Sequence, residues 1–371
     1  MLHEGIKKYV SYKVGGSSMD SEVTRRYSDF FALRAKLQER WPGVYIPNVP
    51  PKKAVGNTDI KVIDKRVRML NLFCYKLSTL EYLFTSEEVK LFQSAGADVA
   101  KNIQCLSKLT YEKIKDKYVQ SFPNYYSGYD LLLGLNRLND FTNYLKTYQT
   151  NIRNFHESVN RNYEKKAHQI ERYIQLISDF EQHEKCTLIE YIENQNEDKL
   201  VFANPQNSEL NEKIRNLKDT LVNPYATLNE WLEEEESDIE AMLEALASLK
   251  GLESTKTKLQ QKLESLTSGI DSFRSSGKKT FSMMFKNAES AVNEMEKEKE
   301  TTVSNINYLD EIVKMASFNM EWYIERFKKE KKYEYFRHLK IFANIQKTNT
   351  SILDDLWQMV KNSMANSKDS S

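Results

Sequence analysis

A small α+β domain followed by an elongated all-α coiled coil is the fold class that the sequence predicts. Three observations carry it. Four of the seven prolines (Pro42, Pro47, Pro50, Pro51) fall in one ten-residue stretch, leaving a long proline-poor remainder. Ile6–Val14 is β-branched and aromatic, the composition of a strand. Leu138, Phe141, Leu145, Tyr148, Ile152, Phe155 and Val159 step by alternating threes and fours, a heptad stripe. The chain has 371 residues, too many for a single compact core, so two or more units are expected.

The first domain reads in order. The Ile6–Val14 strand turns through Gly15–Asp20 and returns over Val23–Tyr27 as a hairpin. Phe30, Phe31, Leu33 and Leu37 have helical spacing, and a proline-bracketed loop follows from Trp41 to Lys53. Val62–Leu80 is a second helix, and Ser86-Glu87-Glu88 caps a short third ending near Gly96.

In the remainder, Ile170, Ile174 and Ile177 resume the first stripe after a longer interval, which relaxes a supercoil. A second stripe runs through Ile239, Met242, Leu246 and Leu249, then Leu263, Leu266, Ile270 and Phe273. A third runs Ile306, Leu309, Val313, Ala316, Met320, Tyr323 and Phe327. Breaks are expected near Asn204-Pro205 and between Gly269 and Gly277, giving three long helices. Pro224, inside a helical pattern, is expected to kink the second. A narrow three-helix coil leaves apolar surface uncovered, so dimerisation is expected.

Charge and cysteine usage bound the function. The 54 basic and 53 acidic residues nearly cancel, but residues 1–95 hold 16 basic against 10 acidic, a net +6. The rest holds 38 against 43, a net −5, which argues against a nucleic-acid-binding coil. No apolar run is long enough to span a bilayer, and nothing resembles a secretory signal, so the expectation is a cytoplasmic protein with peripheral membrane contact. Cys74, Cys105 and Cys186 are far apart and are read as reduced, buried or inert thiols. The five histidines have no metal or triad spacing, and no P-loop, nucleophile elbow or dinucleotide fingerprint is present. No enzyme, metal or cofactor is predicted. The run Glu233–Glu236 reads as a solvated helix face.

The segment Arg25-Arg26-Tyr27-Ser28-Asp29-Phe30 offers guanidinium forks for a phosphate and a flat ring beside them. Taken alone it reads first as edge-strand charge that keeps the sheet soluble. Its company changes that: YIPNVPPKK at Tyr45–Lys53 and DKRVRMLNLF at Asp64–Phe73. The three segments, in this order and spacing, resemble the PX domain of the sorting nexins. The resemblance implies a pocket for phosphatidylinositol 3-phosphate. In it Arg26 would hold the 3-phosphate, and Tyr27 would stack on the inositol ring. Lys53, in preference to Lys52, would meet the 1-phosphate, and Arg66 would fork onto ring hydroxyls. Ala54 and Val55 would dip into the bilayer. Arg25 is left as a surface residue. PX domains usually open with a strand ahead of the one at Ile6–Val14, so either the sequence is truncated or the domain lacks that edge strand.

The remainder resembles the BAR domain of the same sorting nexins, on Asn223–Leu246 (NPYATLNEWLEEEESDIEAMLEAL) and Ile324–Gln346 (IERFKKEKKYEYFRHLKIFANIQ). The expected layout is a PX domain at 1–96, a helical linker at 97–126, a BAR domain at 127–364 and a disordered tail at 365–371. A kinked antiparallel dimer would form an arc; a straight scaffold coil is the alternative. Phe281, Met283, Met284 and Phe285, among Lys278, Lys279 and Lys286, are read either as an interfacial insertion or as the start of the third helix. Lys250, Lys256, Lys258 and Lys262, and Lys328, Lys329, Lys331 and Lys332, are candidate cationic patches. Tyr111, Ile114, Tyr118 and Phe122 share a helical face, which either lies on a membrane or docks the first domain to the coil.

The resemblance thus implies a peripheral protein of early or recycling endosomes that senses or generates curvature. It would pair as a homodimer or as a heterodimer with another BAR sorting nexin, recruit trafficking proteins and act in sorting, recycling and autophagy. The rival is a coiled-coil scaffold that binds lipid through its PX domain without deforming membranes.

Overall fold

The structure, a computed structural model, describes residues 10–16, 22–52, 59–96, 98–122, 128–188, 200–276 and 285–366. In chain order the elements are β1 (Ser11–Val14), β2 (Val23–Arg26), α1 (Tyr27–Arg40), α2 (Ile60–Ser78), α3 (Glu81–Phe84), α4 (Glu87–Gln93), α5 (Val99–Gln104) and α6 (Tyr111–Ser121). Three long helices follow: α7 (Leu131–His183), running into a π-helical turn at Glu184–Leu188; α9 (Tyr225–Ser276), preceded by a short α8 (Ser208–Thr220); and α10 (Phe285–Asn366). They form two compact units, residues 1–148 with 237–327, and residues 149–236 with 328–371. The class is the one expected, a small antiparallel sheet with helices and then long helices.

In the first unit β1 and β2 pair antiparallel, with Ser11 opposite Arg26 and Val14 opposite Val23. Ile6–Tyr9 and most of the expected turn lie outside the described residues. Tyr27, expected to end the strand, opens α1 instead, because the Asp29 carboxylate accepts the Arg26 backbone N–H at 2.7 Å and supplies the cap. The α1 face Phe30, Leu33 and Leu37 is buried, whereas Phe31 is exposed. Phe30 sits among Tyr12, Phe73 and Phe92 with edge-on ring contacts that tie sheet, α1, α2 and α4 together. Ser86 caps α4 as expected, accepting the Val89 N–H, while α3 was not foreseen.

On α6, Ile114, Tyr118 and the adjoining Phe122 are buried. Tyr118 stacks on Trp41 at 5.6 Å and donates its hydroxyl to the Pro42 carbonyl. This apolar face is spent on intramolecular packing, which excludes the membrane-lying alternative for it. The expected stripes supply the core residues of this unit on the long helices: Leu138 and Leu145 of α7, Ile239, Met242 and Leu249 of α9, and Leu309, Val313, Ala316 and Met320 of α10 are buried. Lys256 and Lys262 of the first candidate patch are paired, with Asp310 and with Glu298.

The second unit has its own core, built from Ile177, Val201, Phe202, Leu210, Leu217, Leu221, Leu356 and Val360. Ile152 and Val159 of the first stripe are buried, but Phe155 is 39% exposed, its ring near Trp231. Pro224 does more than kink a helix. The helix ends at Thr220 and α9 starts afresh at Tyr225, whose N–H donates to the Asn223 side chain at 3.1 Å. Proline drives the preceding residue out of the helical region and fits the start of a new helix, so the chain takes a break. Asn349, on α10, satisfies both backbone groups of Val222 in that break, at 3.2 and 2.7 Å. The acidic run is likewise not simply solvated: Glu235 is buried against Lys331 at 2.8 Å, and Glu236 meets His156 at 2.8 Å. Of the cysteines, Cys105 and Cys186 are exposed rather than buried, and burial pushes the Cys74 thiol up to about 11. Residues 278–284 lie outside the described residues, as do the side chains of Phe285 and Lys286; of the tail expected at 365–371, Ala365 and Asn366 instead end α10, and the rest lies outside the described residues.

Candidate functional site

The site grows from the strand period. In β2, Val23 and Arg25 face inward and Thr24 and Arg26 outward. Arg25, expected at the surface, is 2% exposed. Its Nε donates to the Phe92 carbonyl at 2.7 Å, a second nitrogen to the Ser94 carbonyl and a third to its neighbour Thr24. The guanidinium also lies 5.5 Å from the Phe92 ring centroid. Desolvation lowers its pKa, opposed by Asp29. Arg25 thus closes the carbonyl end of α4 onto the sheet, where a cation also suits the helix dipole. The alternation of Val23 and Arg25 was the signal that could have shown this.

Arg26 is exposed at the end of β2 and the start of α1. Tyr27 follows it, half-buried, and donates its hydroxyl to the Pro50 carbonyl, fastening the proline loop to the strand end. Desolvation raises the Tyr27 pKa, opposed by the positive charge of Arg66. The Arg66 guanidinium, brought in by α2, lies 4.7 Å from the Tyr27 ring centroid. Arg66 is buried at 6% exposure. Lys52, at the far end of the loop, places its ammonium 3.7 Å from the Phe31 ring centroid. Phe31 stands one helical turn after Tyr27, so its exposure on α1 has a reason that spacing did not reveal.

The structure therefore gathers Tyr27, Arg66 and the Pro50–Lys52 strand of the loop into one place, with Arg26 beside them. Lys53, Ala54 and Val55 lie outside the described residues. A guanidinium over Tyr27 and an ammonium over Phe31, with the exposed Arg26 next in sequence to Tyr27, are groups that can bind a polyanion carrying an apolar ring face. Among the described residues, no group of three or more histidine, cysteine or carboxylate side chains is placed to hold a metal ion, and no helix is long and apolar enough to cross a membrane.

Residues 13–95 match the PX domain family. The chain is 29% identical over 124 residues to sorting nexin 1 of Arabidopsis thaliana, a match covering 31% of each chain. It is 35% identical over 99 residues to human sorting nexin-8, covering 26% of this chain and 21% of that protein. It is 33% identical over 95 residues to mouse sorting nexin-33, covering 26% and 17%. The match thus spans less than a third of each relative's length. The fold of the whole chain is similar to that of a subunit in the cryo-EM structure of the SNX-BAR Mvp1 tetramer, with a TM-score of 0.62, 16% identity and coverage of 96% of this chain and 95% of that one. By sequence, residues 13–95 are a PX domain similar to those of the sorting nexins, and by fold the full length is similar to an SNX-BAR subunit.

Proposed function

We propose that the protein is a peripheral membrane protein whose PX domain binds phosphatidylinositol 3-phosphate, and whose coil assembles into a dimer that stabilises curved endosomal carriers. The observation that carries the reading is the gathering of Tyr27, Arg66 and Lys52 around the end of the strand that presents Arg26. In this reading Arg26 and Arg66 hold phosphate and ring hydroxyls, and Lys52 with Lys53 meets the glycerol-linked phosphate. Arg66 covers one face of Tyr27, so the inositol ring stacks on the other face or displaces the guanidinium. The PX domain occupies residues 1–96, a helical linker 97–126 and the BAR domain 127–364. The net +6 of residues 1–95 supports approach to an anionic leaflet, where each cation near the surface adds about 1 kcal/mol. Two pockets on one dimer would add avidity.

Liposome flotation across a panel of phosphoinositides tests this. Arg26→Ala removes a charge-assisted fork worth about 1.5–3 kcal/mol, so affinity for phosphatidylinositol 3-phosphate vesicles should fall roughly ten- to a hundredfold. An Arg26→Ala protein that floats as well as wild type would remove the pocket assignment. Dimers that bind vesicles without deforming them would leave the lipid reading and discard the curvature one.

A further inference from the structure

The proline loop has two ends with different anchors. Its second half, Pro50–Lys52, is fixed to Tyr27 and Phe31 of the candidate lipid site. Its first half is fixed to the long helices of the same unit. Gly43 has a φ of +82°, and an added Cβ would stand 3.2–3.3 Å from Leu252, Ala316 and Leu249, so the loop backbone lies directly on α9 and α10. The Gly43 N–H donates to Ser248 Oγ at 3.0 Å. Tyr45 is 1% exposed and stacks on Tyr323 at 4.3 Å. The Asn48 amide reaches Glu240 at 3.2 Å.

Asp238 of α9, 4% exposed, stands at the centre of these contacts. Its carboxylate accepts the Tyr45 hydroxyl from the loop and forms an ion pair, at 2.7 Å, with the Lys76 ammonium of α2. The loop carries Lys52, and α2 carries Arg66. One buried carboxylate on the coil helix therefore joins both walls of the pocket without being part of it. Burial and Asp238 hold the Tyr45 phenol well above its usual range, so it remains a donor.

We propose that Asp238 is a positioning residue for the headgroup site, and that through its bonds to Tyr45 and Lys76 the packing of α9 sets the affinity of that site. The inference rests on the reading that Arg26, Tyr27 and Arg66 take a phosphoinositide headgroup. Its chemistry is that of any preorganised anion site, in which the supporting contacts fix the geometry of the forks.

The test is the dissociation constant of the full chain for vesicles carrying phosphatidylinositol 3-phosphate, with phosphatidylserine vesicles of matched charge as reference. Asp238→Asn keeps shape and removes the charge that Lys76 needs. Tyr45→Phe removes one hydrogen bond and serves if the first variant folds poorly. Each should weaken phosphoinositide binding roughly tenfold and leave phosphatidylserine binding unchanged. On an Arg26→Ala background either should add little further loss. A merely structural role would lower the melting temperature and the active fraction while the dissociation constant stays at the wild-type value. That result, with Arg26→Ala still defective, overturns the positioning role alone. An Arg26→Ala protein that binds normally overturns the headgroup reading instead.

Discussion

Arg25 and Arg26 are neighbours with opposite roles, and strand geometry separates them. One face of β2 turns Arg25 into the domain, where its guanidinium satisfies carbonyls at the end of α4. The other face turns Arg26 to solvent. Replacing Arg25 by Ala strands buried carbonyls and leaves a cavity, so the cost should be about 2–4 kcal/mol. Arg26→Ala should change stability by no more than about 0.5 kcal/mol, the usual effect at an exposed position. Urea unfolding at fixed pH measures both; equal costs would contradict the division. The sequence carried this distinction in the alternation Val23, Thr24, Arg25, Arg26, but two adjacent arginines invite being read as a single charge cluster. Tyr27, Arg66 and the proline loop were legible as a set through their motifs. Phe31 beneath Lys52 was not, because an exposed aromatic on a helix has no signature of its own.

At the scale of elements, Glu88 shows how the N-terminal helices hold together. The first residue of α4 after Glu87, it is fully buried and accepts ion pairs from Arg40 of α1 and from Lys117 of α6, each at 2.9 Å. Burial alone raises its pKa, but Lys117 and Arg40 outweigh that and hold it below the usual carboxylate range. A carboxyl whose pKa is depressed by folding stabilises the fold above its unfolded value, about 4.3, and the contribution disappears as pH falls through the folded value. The melting temperature of the wild type should therefore drop on acidification below about pH 4.5 more steeply than that of Glu88→Gln. Glu88→Gln should be the less stable protein at pH 7, since it leaves buried cations short of their partner. Parallel pH profiles would show that Glu88 is not the responsible group. The helices themselves were legible from apolar spacing and capping residues. The outcome at Pro224 was not, because a kink and a break differ in what the preceding backbone can bond to. Here Asn349, more than a hundred residues away in sequence, provides those partners and tips the balance.

For the whole molecule, the stripes that close each unit leave a second set of large apolar side chains in solvent. On α7, Leu132 is 73% and Tyr144 56% exposed. On α10, Tyr333 is 67%, Phe336 55% and Leu339 44% exposed, spaced so that the three share one side of the helix. Heptad reading did not mark this set: its residue types are those of the internal stripes, but Tyr333, Phe336 and Leu339 step by threes, outside the alternation of threes and fours. Isolated exposed leucines are ordinary, but a run of aromatic residues along one helix is the kind of patch that marks association. Self-association should therefore bury Tyr333, Phe336 and Leu339. Light scattering at micromolar concentration should give at least twice the protomer mass of 43.5 kDa. Phe336→Lys combined with Leu339→Lys places two charges in that surface and should return the protein to protomer mass. Because both positions are exposed in the protomer, its own fold has no need of them, and helical content by circular dichroism should stay unchanged. A wild-type mass of 43.5 kDa would contradict the assembly, whereas a dimer insensitive to the double substitution would place its interface on another face.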